Sequence, residues 1–250
     1  VPDIDRAAGN LLADIAIGGT SGRPAIGGLL QLADGEFDFY QVNLRLRKVA
    51  MQARINDNRV EFTGAAQTED GKLDAHGELA WRSGSPQGTL QLTGKDLLLV
   101  NVPEARIVAS PDLKFAINGH LIDVTGTVTV PSARIQPADL TGAVLSSSDE
   151  VIKGSAPVDP ADRFQIASNI RMVLGDHVNI DTFGLSGRLT GDITAQTTAD
   201  GISRGTGELN IADGKYAAFG RRLDVQRGRL IFGGGLLDDP GMELRATKQS

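Results

Sequence analysis

Few residues in this sequence have the types and spacing that catalysis or metal binding requires. The histidines His76, His120 and His177 lie far apart, each in a polar strand or turn context, and no two have the spacing of metal ligands. Cysteine is absent, which excludes a disulfide framework and thiolate metal sites. The sequence therefore predicts no metal site and no cofactor.

Two glycine-containing stretches resemble catalytic motifs only in part. Gly233-Gly234-Gly235 lacks the Lys-Ser/Thr of a phosphate-binding loop, so a bulge or a flexible turn is the better interpretation. The stretch from Gly184 to Gly187 is one residue short of a nucleophile elbow, and a hydrolase is not indicated. We therefore expect a protein without enzymatic activity.

Asp-Gly pairs and one basic run are the remaining charged features. Asp34-Gly35 and Asp213-Gly214 lack the repeated acidic positions of a calcium loop, whereas Asp-Gly is typical of tight hairpins that need positive φ. In the run Arg45-Leu46-Arg47-Lys48 the charges alternate with leucine. This pattern favours a solvated outer face of a strand, with contact to anionic headgroups as the alternative interpretation.

Composition narrows the class of protein. The 250 residues are 40% hydrophobic, which is enough to bury a core. The 25 Lys and Arg against 31 Asp and Glu give a net charge of −6, which argues against a nucleic-acid partner. Apolar runs such as 97–100 are far shorter than the ~20 residues of a membrane span. We expect a soluble fragment of a longer protein.

Alternation of apolar and polar residues runs through most of the chain, for example at 43–47, 73–81, 113–117 and 127–130. A two-residue period predicts strands with one apolar face. Only residues 160–167 resemble a helix, and even there a strand from Phe164 onward is favoured. Residues 146–162 are predicted to form a long loop. With no helices to cover it, a sheet of some 20 strands must close as a sandwich, a barrel or a curled trough. As one layer it would be roughly 90 to 100 Å long.

The chain also contains a duplication. GLLQLADGEF at 28–37 matches GELNIADGKY at 207–216, and Gly9–Ile15 matches Gly187–Ile193. We interpret the unit as a strand that ends in a tight Asp-Gly turn and starts again. Repetition of this kind favours an elongated, stacked β architecture, and we expect one continuous repetitive domain over residues 1–250.

Several short motifs, in a fixed order, resemble the C-terminal conserved region of the TamB family, which belongs to the AsmA-like superfamily. They are Ile170–Ile180, Phe183-Gly184-Leu185, Gly187–Gly191, Gly207–Gly214 and Gly228–Phe232. The resemblance implies an all-β fold: an elongated, curled, antiparallel-rich sheet that forms an open trough, or β-taco, with an apolar interior. It also implies a periplasmic location and an inner-membrane anchor outside this fragment.

The family further implies phospholipids as cargo, an outer-membrane barrel partner of the TamA type, and possible outer-membrane protein clients. We accordingly expect a lipid conduit in the bacterial envelope. One rival hypothesis is a periplasmic scaffold or chaperone that assembles outer-membrane proteins by β-augmentation. Another is an adhesin or β-solenoid with a dry core.

The expected lipid-binding groove consists of the apolar positions of the alternating strands, and a dry core between two sheets is the alternative interpretation of the same residues. The lining is predicted to comprise Leu44, Leu46, Met51, Ile55, Val60, Phe62, Leu79, Trp81, Leu90, Leu92, Phe115, Ile117, Val128, Val130, Met172, Leu174, Leu209, Ile211, Leu230 and Phe232.

Overall fold

A computed structural model describes residues 4–20, 23–39, 44–82, 84–136, 164–182, 184–218 and 221–248. Every regular element within these ranges is a β-strand, as the two-residue period predicts. The strands are β1 (Ile4–Thr20), β2 (Arg23–Phe39), β3 (Leu44–Asn56), β4 (Arg59–Gln67), β5 (Lys72–Arg82), β6 (Ser85–Lys95), β7 (Leu97–Val102), β8 (Ala105–Asn118), β9 (Leu121–Ile135), β10 (Gln165–Thr182), β11 (Leu185–Thr197), β12 (Ser203–Ala218), β13 (Arg221–Leu236) and β14 (Gly241–Lys248).

All strands belong to one open sheet, whose order follows the chain from β1 to β14 except that β7 pairs only with β8. Neighbours are antiparallel with one exception, β9 and β10, where Gln165 pairs with Leu121 and Ile180 pairs with Ile135. A parallel pair needs a crossover connection rather than a hairpin. The loop predicted at 146–162 falls in this connection and lies outside the described residues.

The sheet has fewer and longer strands than the sequence predicted. It contains 14 strands rather than about 20, and β10 alone has 18 residues, whereas typical strands have about 5 or 6. At about 4.8 Å between neighbours, the hydrogen-bonded path spans roughly 60 Å. The predicted strand from Phe164 onward is confirmed, since β10 begins at Gln165; residues 160–163 lie outside the description.

The predicted hairpin turns at Asp34-Gly35 and Asp213-Gly214 are wrong, because both pairs lie inside long strands, β2 and β12. Asp34 and Asp213 have φ of 52° and 53°, and the pairing register shifts beside each of them. A β-bulge of this kind and a tight hairpin both require positive φ, so the dipeptide alone does not distinguish them. Other predicted turns, such as 56–58 and 200–201, do connect strands.

These bulges belong to a row that crosses the sheet and bends its long strands. Register shifts occur near Gly9 in β1, Lys48 in β3, Ser110 in β8, Gly175 in β10 and Gly187 in β11. A bulged strand bends and twists more strongly than a regular one. Because the bends line up on β1 to β3 and again on β8 to β12, the sheet curls there into an open trough.

Candidate functional site: the apolar inner face

Strand register assembles one apolar surface, here called the inner face. Ile55, Val60 and Leu79 lie directly opposite one another on β3, β4 and β5. A second row crosses β4, β6 and β8 through Phe62, Leu90 and Phe115, with Gly77 of β5 between the first two. Because side chains alternate along a strand, every second residue between bulges joins the same face.

The same register extends the inner face toward the C-terminus. Val128 of β9 pairs with Met172 of β10, and Leu209 of β12 pairs with Leu230 of β13. On β3, the bulge at Lys48 keeps Leu46 with Met51, since both line one recess with Phe62. The inner face therefore contains all the residues that the sequence predicted for the lining: Leu44, Leu46, Met51, Ile55, Val60, Phe62, Leu79, Trp81, Leu90, Leu92, Phe115, Ile117, Val128, Val130, Met172, Leu174, Leu209, Ile211, Leu230 and Phe232.

Over β3 to β6 the inner face is open rather than a dry core. An apolar recess of about 260 Å³ lies among Leu46, Val49, Met51, Phe62 and Leu73. Met51 remains 51% exposed and Trp81 44% exposed, although large apolar side chains of a compact core are normally enclosed. Among the described side chains none is enclosed to below 2% exposure, and the single sheet leaves no second layer for a sandwich core.

Toward the C-terminal half the inner face becomes more closely packed. Val130, Ala133, Val178, Leu189 and Ile211 form one cluster of buried side chains contributed by β9 to β12. Side chains of the inner face are thus more closely packed at β9 to β12 than at β3 to β6.

Sequence reasoning missed several inner-face residues. Leu189 and Ile193 are buried in β11, and their spacing around Gly191 was an available two-residue signal. Val49 and Val178 are also buried, but each follows a bulge that shifts the alternation by one residue. Only the strand register assigns these two residues to the inner face.

The opposite, outer face carries cross-strand ion pairs. Arg229 of β13 bonds Glu208 of β12 at 3.2 Å and also Glu243 of β14. The hydrogen bond from Arg229 lowers the pKa of Glu243 below its usual value, and the same contact raises the pKa of Arg229. Such exposed pairs contribute little stability individually, but they identify the face that contacts water.

The basic run of β3 lines a polar cleft of about 460 Å³, on the other side of the strand from the apolar recess. Arg47 bonds Glu36 at 3.0 Å and lies 3.3 Å from Asp38. The predicted solvated outer face therefore applies to Arg45 and Arg47, while Leu46 between them belongs to the inner face. The cleft is lined by Arg45, Arg47, Thr68, Glu69, Leu98 and Asn101.

The histidines and glycine stretches singled out from the sequence lie in separate strands and turns of the described structure. No group of three or more His, Cys, Asp or Glu side chains within it could hold a metal ion. His120 contacts the ring of Phe164, with centroids 5.8 Å apart. Gly233 to Gly235 lie in β13 beside a register shift, as the bulge interpretation predicted.

Comparison with known proteins agrees with this architecture. The family model for the TamB C-terminal domain matches residues 61–250. The translocation and assembly module subunit TamB of Haemophilus influenzae is 24% identical over 247 residues, which cover 90% of this chain and 18% of that protein. Across the described ranges, no helix has the length and apolar character needed to cross a bilayer. The chain belongs to the TamB family.

Proposed function

We propose that this chain is a section of a non-enzymatic lipid conduit, in which phospholipid acyl chains lie on the inner face while the headgroups remain in water. The observation that supports this most is a continuous apolar face, with exposed Met51 and Trp81, that no second layer covers in the described structure. Each CH₂ group that leaves water for such a surface contributes about 0.8 kcal/mol. A groove that binds through apolar contacts does not fix its ligand at one position, so an acyl chain can move along it.

In this proposal the whole protein acts in the periplasm as part of a translocation and assembly module, the term used in the name of the Haemophilus influenzae relative. An anchor in the inner membrane and a barrel partner of the TamA type in the outer membrane complete the path. The support is family membership, because this chain spans 18% of the relative's length. Lipid movement between the two membranes is the corresponding activity.

Photo-crosslinking in cells tests the lipid contact. A photoreactive residue at Phe62, which lines the apolar recess, is expected to trap phospholipid, whereas one at its exposed neighbour Glu61 is not. A second pair, buried Leu209 and exposed Asn210 of β12, repeats the comparison in the closely packed region. Equal trapping on both faces, or none at Phe62 and Leu209, would contradict the conduit.

A scaffold for outer-membrane protein assembly is the second candidate, and the sheet edges favour it. In the described structure β1 pairs only with β2, and β14 pairs only with β13, and a strand paired on one side is the kind of edge that β-augmentation uses. Ala246→Pro in β14 removes a backbone donor from this edge. The scaffold predicts that this variant blocks client assembly but leaves lipid crosslinking at Phe62 intact; the conduit predicts normal assembly.

A further inference from the structure

The polar cleft lies at a break in the sheet. The β4–β5 hairpin ends at the turn Thr68–Gly71, so β4 pairs with β3 only as far as Arg47 and does not reach the first residues of β3. Beyond this turn, β3 and β7 approach each other, but no strand pairing joins them, since β7 pairs only with β8. The cleft of about 460 Å³ opens at this break. The cleft lies on the outer side of β3, opposite the recess that Leu46 lines on the inner face.

Two side chains of opposite charge line this cleft, and neither forms an ion pair with another described residue. Arg47 is neutralised by Glu36 and Asp38 of β2. Arg45, one of the cleft's two arginines, has no carboxylate partner among the described residues, and Glu69 has no basic partner among them. Arg45 and Glu69 also make no ion pair with each other. The cleft thus offers one positive and one negative group to a ligand.

The turn that carries Glu69 is held by two hydrogen bonds. The Thr68 hydroxyl, almost buried, accepts the Gly71 N–H at 3.1 Å, and the Thr68 N–H donates to the Gly71 carbonyl at 2.9 Å. Next to Glu69, Asp70 bonds Arg106 of β8 at 3.4 Å. The Glu69 carboxylate is consequently presented from a fixed backbone, which lowers the entropic cost of binding.

The apolar recess begins on the same segment of β3. Leu46, between the two arginines of the cleft, lines the recess, and the β4–β5 hairpin contributes Ala66 and Leu73 to it and Thr68 and Glu69 to the cleft. An amphipathic molecule that passes around this part of β3 would have its apolar part in the recess and its polar part in the cleft.

We propose that the cleft binds the phosphoethanolamine group of a glycerophospholipid whose acyl chains lie on the inner face, an inference that rests on the proposed conduit. The Arg45 guanidinium donates hydrogen bonds to the phosphodiester oxygens. The Glu69 carboxylate accepts hydrogen bonds from the primary ammonium. A choline headgroup has the same phosphate and charge but no N–H donor, so Glu69 discriminates against it.

Binding of two tail-labelled lipids with identical chains, phosphatidylethanolamine and phosphatidylcholine, to the full 250-residue chain tests this assignment. Fluorescence anisotropy gives the dissociation constants for the wild type, Arg45→Gln and Glu69→Gln. We expect the wild type to prefer phosphatidylethanolamine by about tenfold, the effect of one charge-assisted hydrogen bond. Glu69→Gln should reduce this preference by weakening phosphatidylethanolamine binding more than phosphatidylcholine binding, and Arg45→Gln should weaken both lipids similarly.

Arg54→Gln is the matched control, because Arg54 is an exposed arginine of β3 that does not line the cleft. It should change neither dissociation constant. A wild type that binds both lipids equally, or a Glu69→Gln variant that keeps the preference, overturns the headgroup site but leaves the conduit intact. A wild type that binds neither lipid overturns both proposals. Displacement by soluble glycerophosphoethanolamine at concentrations as low as those of the lipid identifies a soluble ligand and overturns the lipid assignment.

Discussion

The two copies of the duplicated unit, β1–β2 and β11–β12, have the same local geometry at their bulges. A Cβ added at Gly35 would lie 2.9 Å from the Val49 Cβ, and one added at Gly214 would lie 2.8 Å from the Val225 Cβ. In both copies, the first strand also carries a glycine at the bulge. The equivalent positions are Gly9 and Gly187, Gly28 and Gly207, Asp34 and Asp213, and Gly35 and Gly214.

The copies differ in burial. Leu11 of β1 is 73% exposed, and its equivalent in β11, Leu189, is 8% exposed. Ile15 and Ile193 differ in the same direction, at 48% and 8%. In the described sheet β1 has one neighbouring strand, whereas β11 lies between β10 and β12. The repeated sequence thus determines where a strand bends, while position in the sheet determines what its side chains contribute to stability.

The largest expected effect on the free energy of unfolding comes from Gly28 and Gly207, which have the same close backbone contact in the two copies. A Cβ at Gly207 would lie 2.5 Å from the Asp192 carbonyl oxygen, and one at Gly28 would lie 2.2 Å from that of Asp14. Gly207→Val is expected to cost about 3 kcal/mol, because it forces apart two interior strands. Gly28→Val is expected to cost about 1 kcal/mol globally, because β1 can detach alone. Urea unfolding followed by circular dichroism measures both.

Gly233→Val is the control for this comparison, since no heavy atom lies within 4 Å of a Cβ at Gly233, and we expect almost no change. Hydrogen exchange in Gly28→Val should show loss of protection confined to β1 and its pairing partner. Equal losses of stability in Gly28→Val and Gly207→Val would mean that β1 unfolds together with the interior strands, which contradicts the proposed difference between the copies.

A smaller difference in the free energy of unfolding is expected between alanine substitutions at Leu11 and at Leu189. Leu189→Ala removes a side chain from the cluster with Val130, Val178 and Ile211, and is expected to cost about 2 to 3 kcal/mol through lost contacts and a cavity. Leu11→Ala at the exposed position should change stability by less than about 0.5 kcal/mol. The same unfolding measurements apply. A loss above 1 kcal/mol for Leu11→Ala would indicate that β1 is covered in solution.

Local patterning predicts much of this fold. The two-residue alternation at 113–117 and 127–130 identified strands β8 and β9, because a sheet with one apolar face needs little else to specify it. The positive φ of Asp34 and Asp213 was also predictable, but not whether the chain reverses there or continues. That outcome depends on the partner strand, which contributes Val49 or Val225 beside the bulge and lies outside the local pattern.

The inner face was predictable for the same reason, because alternation assigns apolar side chains to one face of each strand. Features that depend on how strands are arranged relative to one another were not predictable in this way. Alternation located Phe62, Leu90 and Phe115 without any knowledge of which strands pair. The exposure of Met51 and the polar cleft between β3 and β7 depend on the curl and on the short β4–β5 hairpin. Such features arise from the relative lengths of neighbouring strands, which local sequence patterns do not specify.

The smallest expected effect concerns how arginines in the strands that follow the two copies, β3 and β13, connect neighbouring strands. Arg47 forms ion pairs with two carboxylates of the same strand, β2, whereas Arg229 connects β12 and β14 through Glu208 and Glu243. Glu243→Gln should therefore loosen the end strand β14 slightly, and Glu36→Gln should leave strand attachment unchanged, because Asp38 still contacts Arg47. Hydrogen exchange of the β14 and β3 amides in the two variants measures this difference.

The pH dependence of the Glu243 effect has a defined sign. Contact with Arg229 and Arg227 lowers the pKa of Glu243 in the folded chain, so its contribution to holding β14 is complete above the ordinary glutamate pKa and is lost as the pH falls through the lowered folded value. The ratio of β14 exchange rates between Glu243→Gln and the wild type should therefore be above one at neutral pH and approach one in acid. A ratio that grows on acidification would show that β14 is held by other contacts.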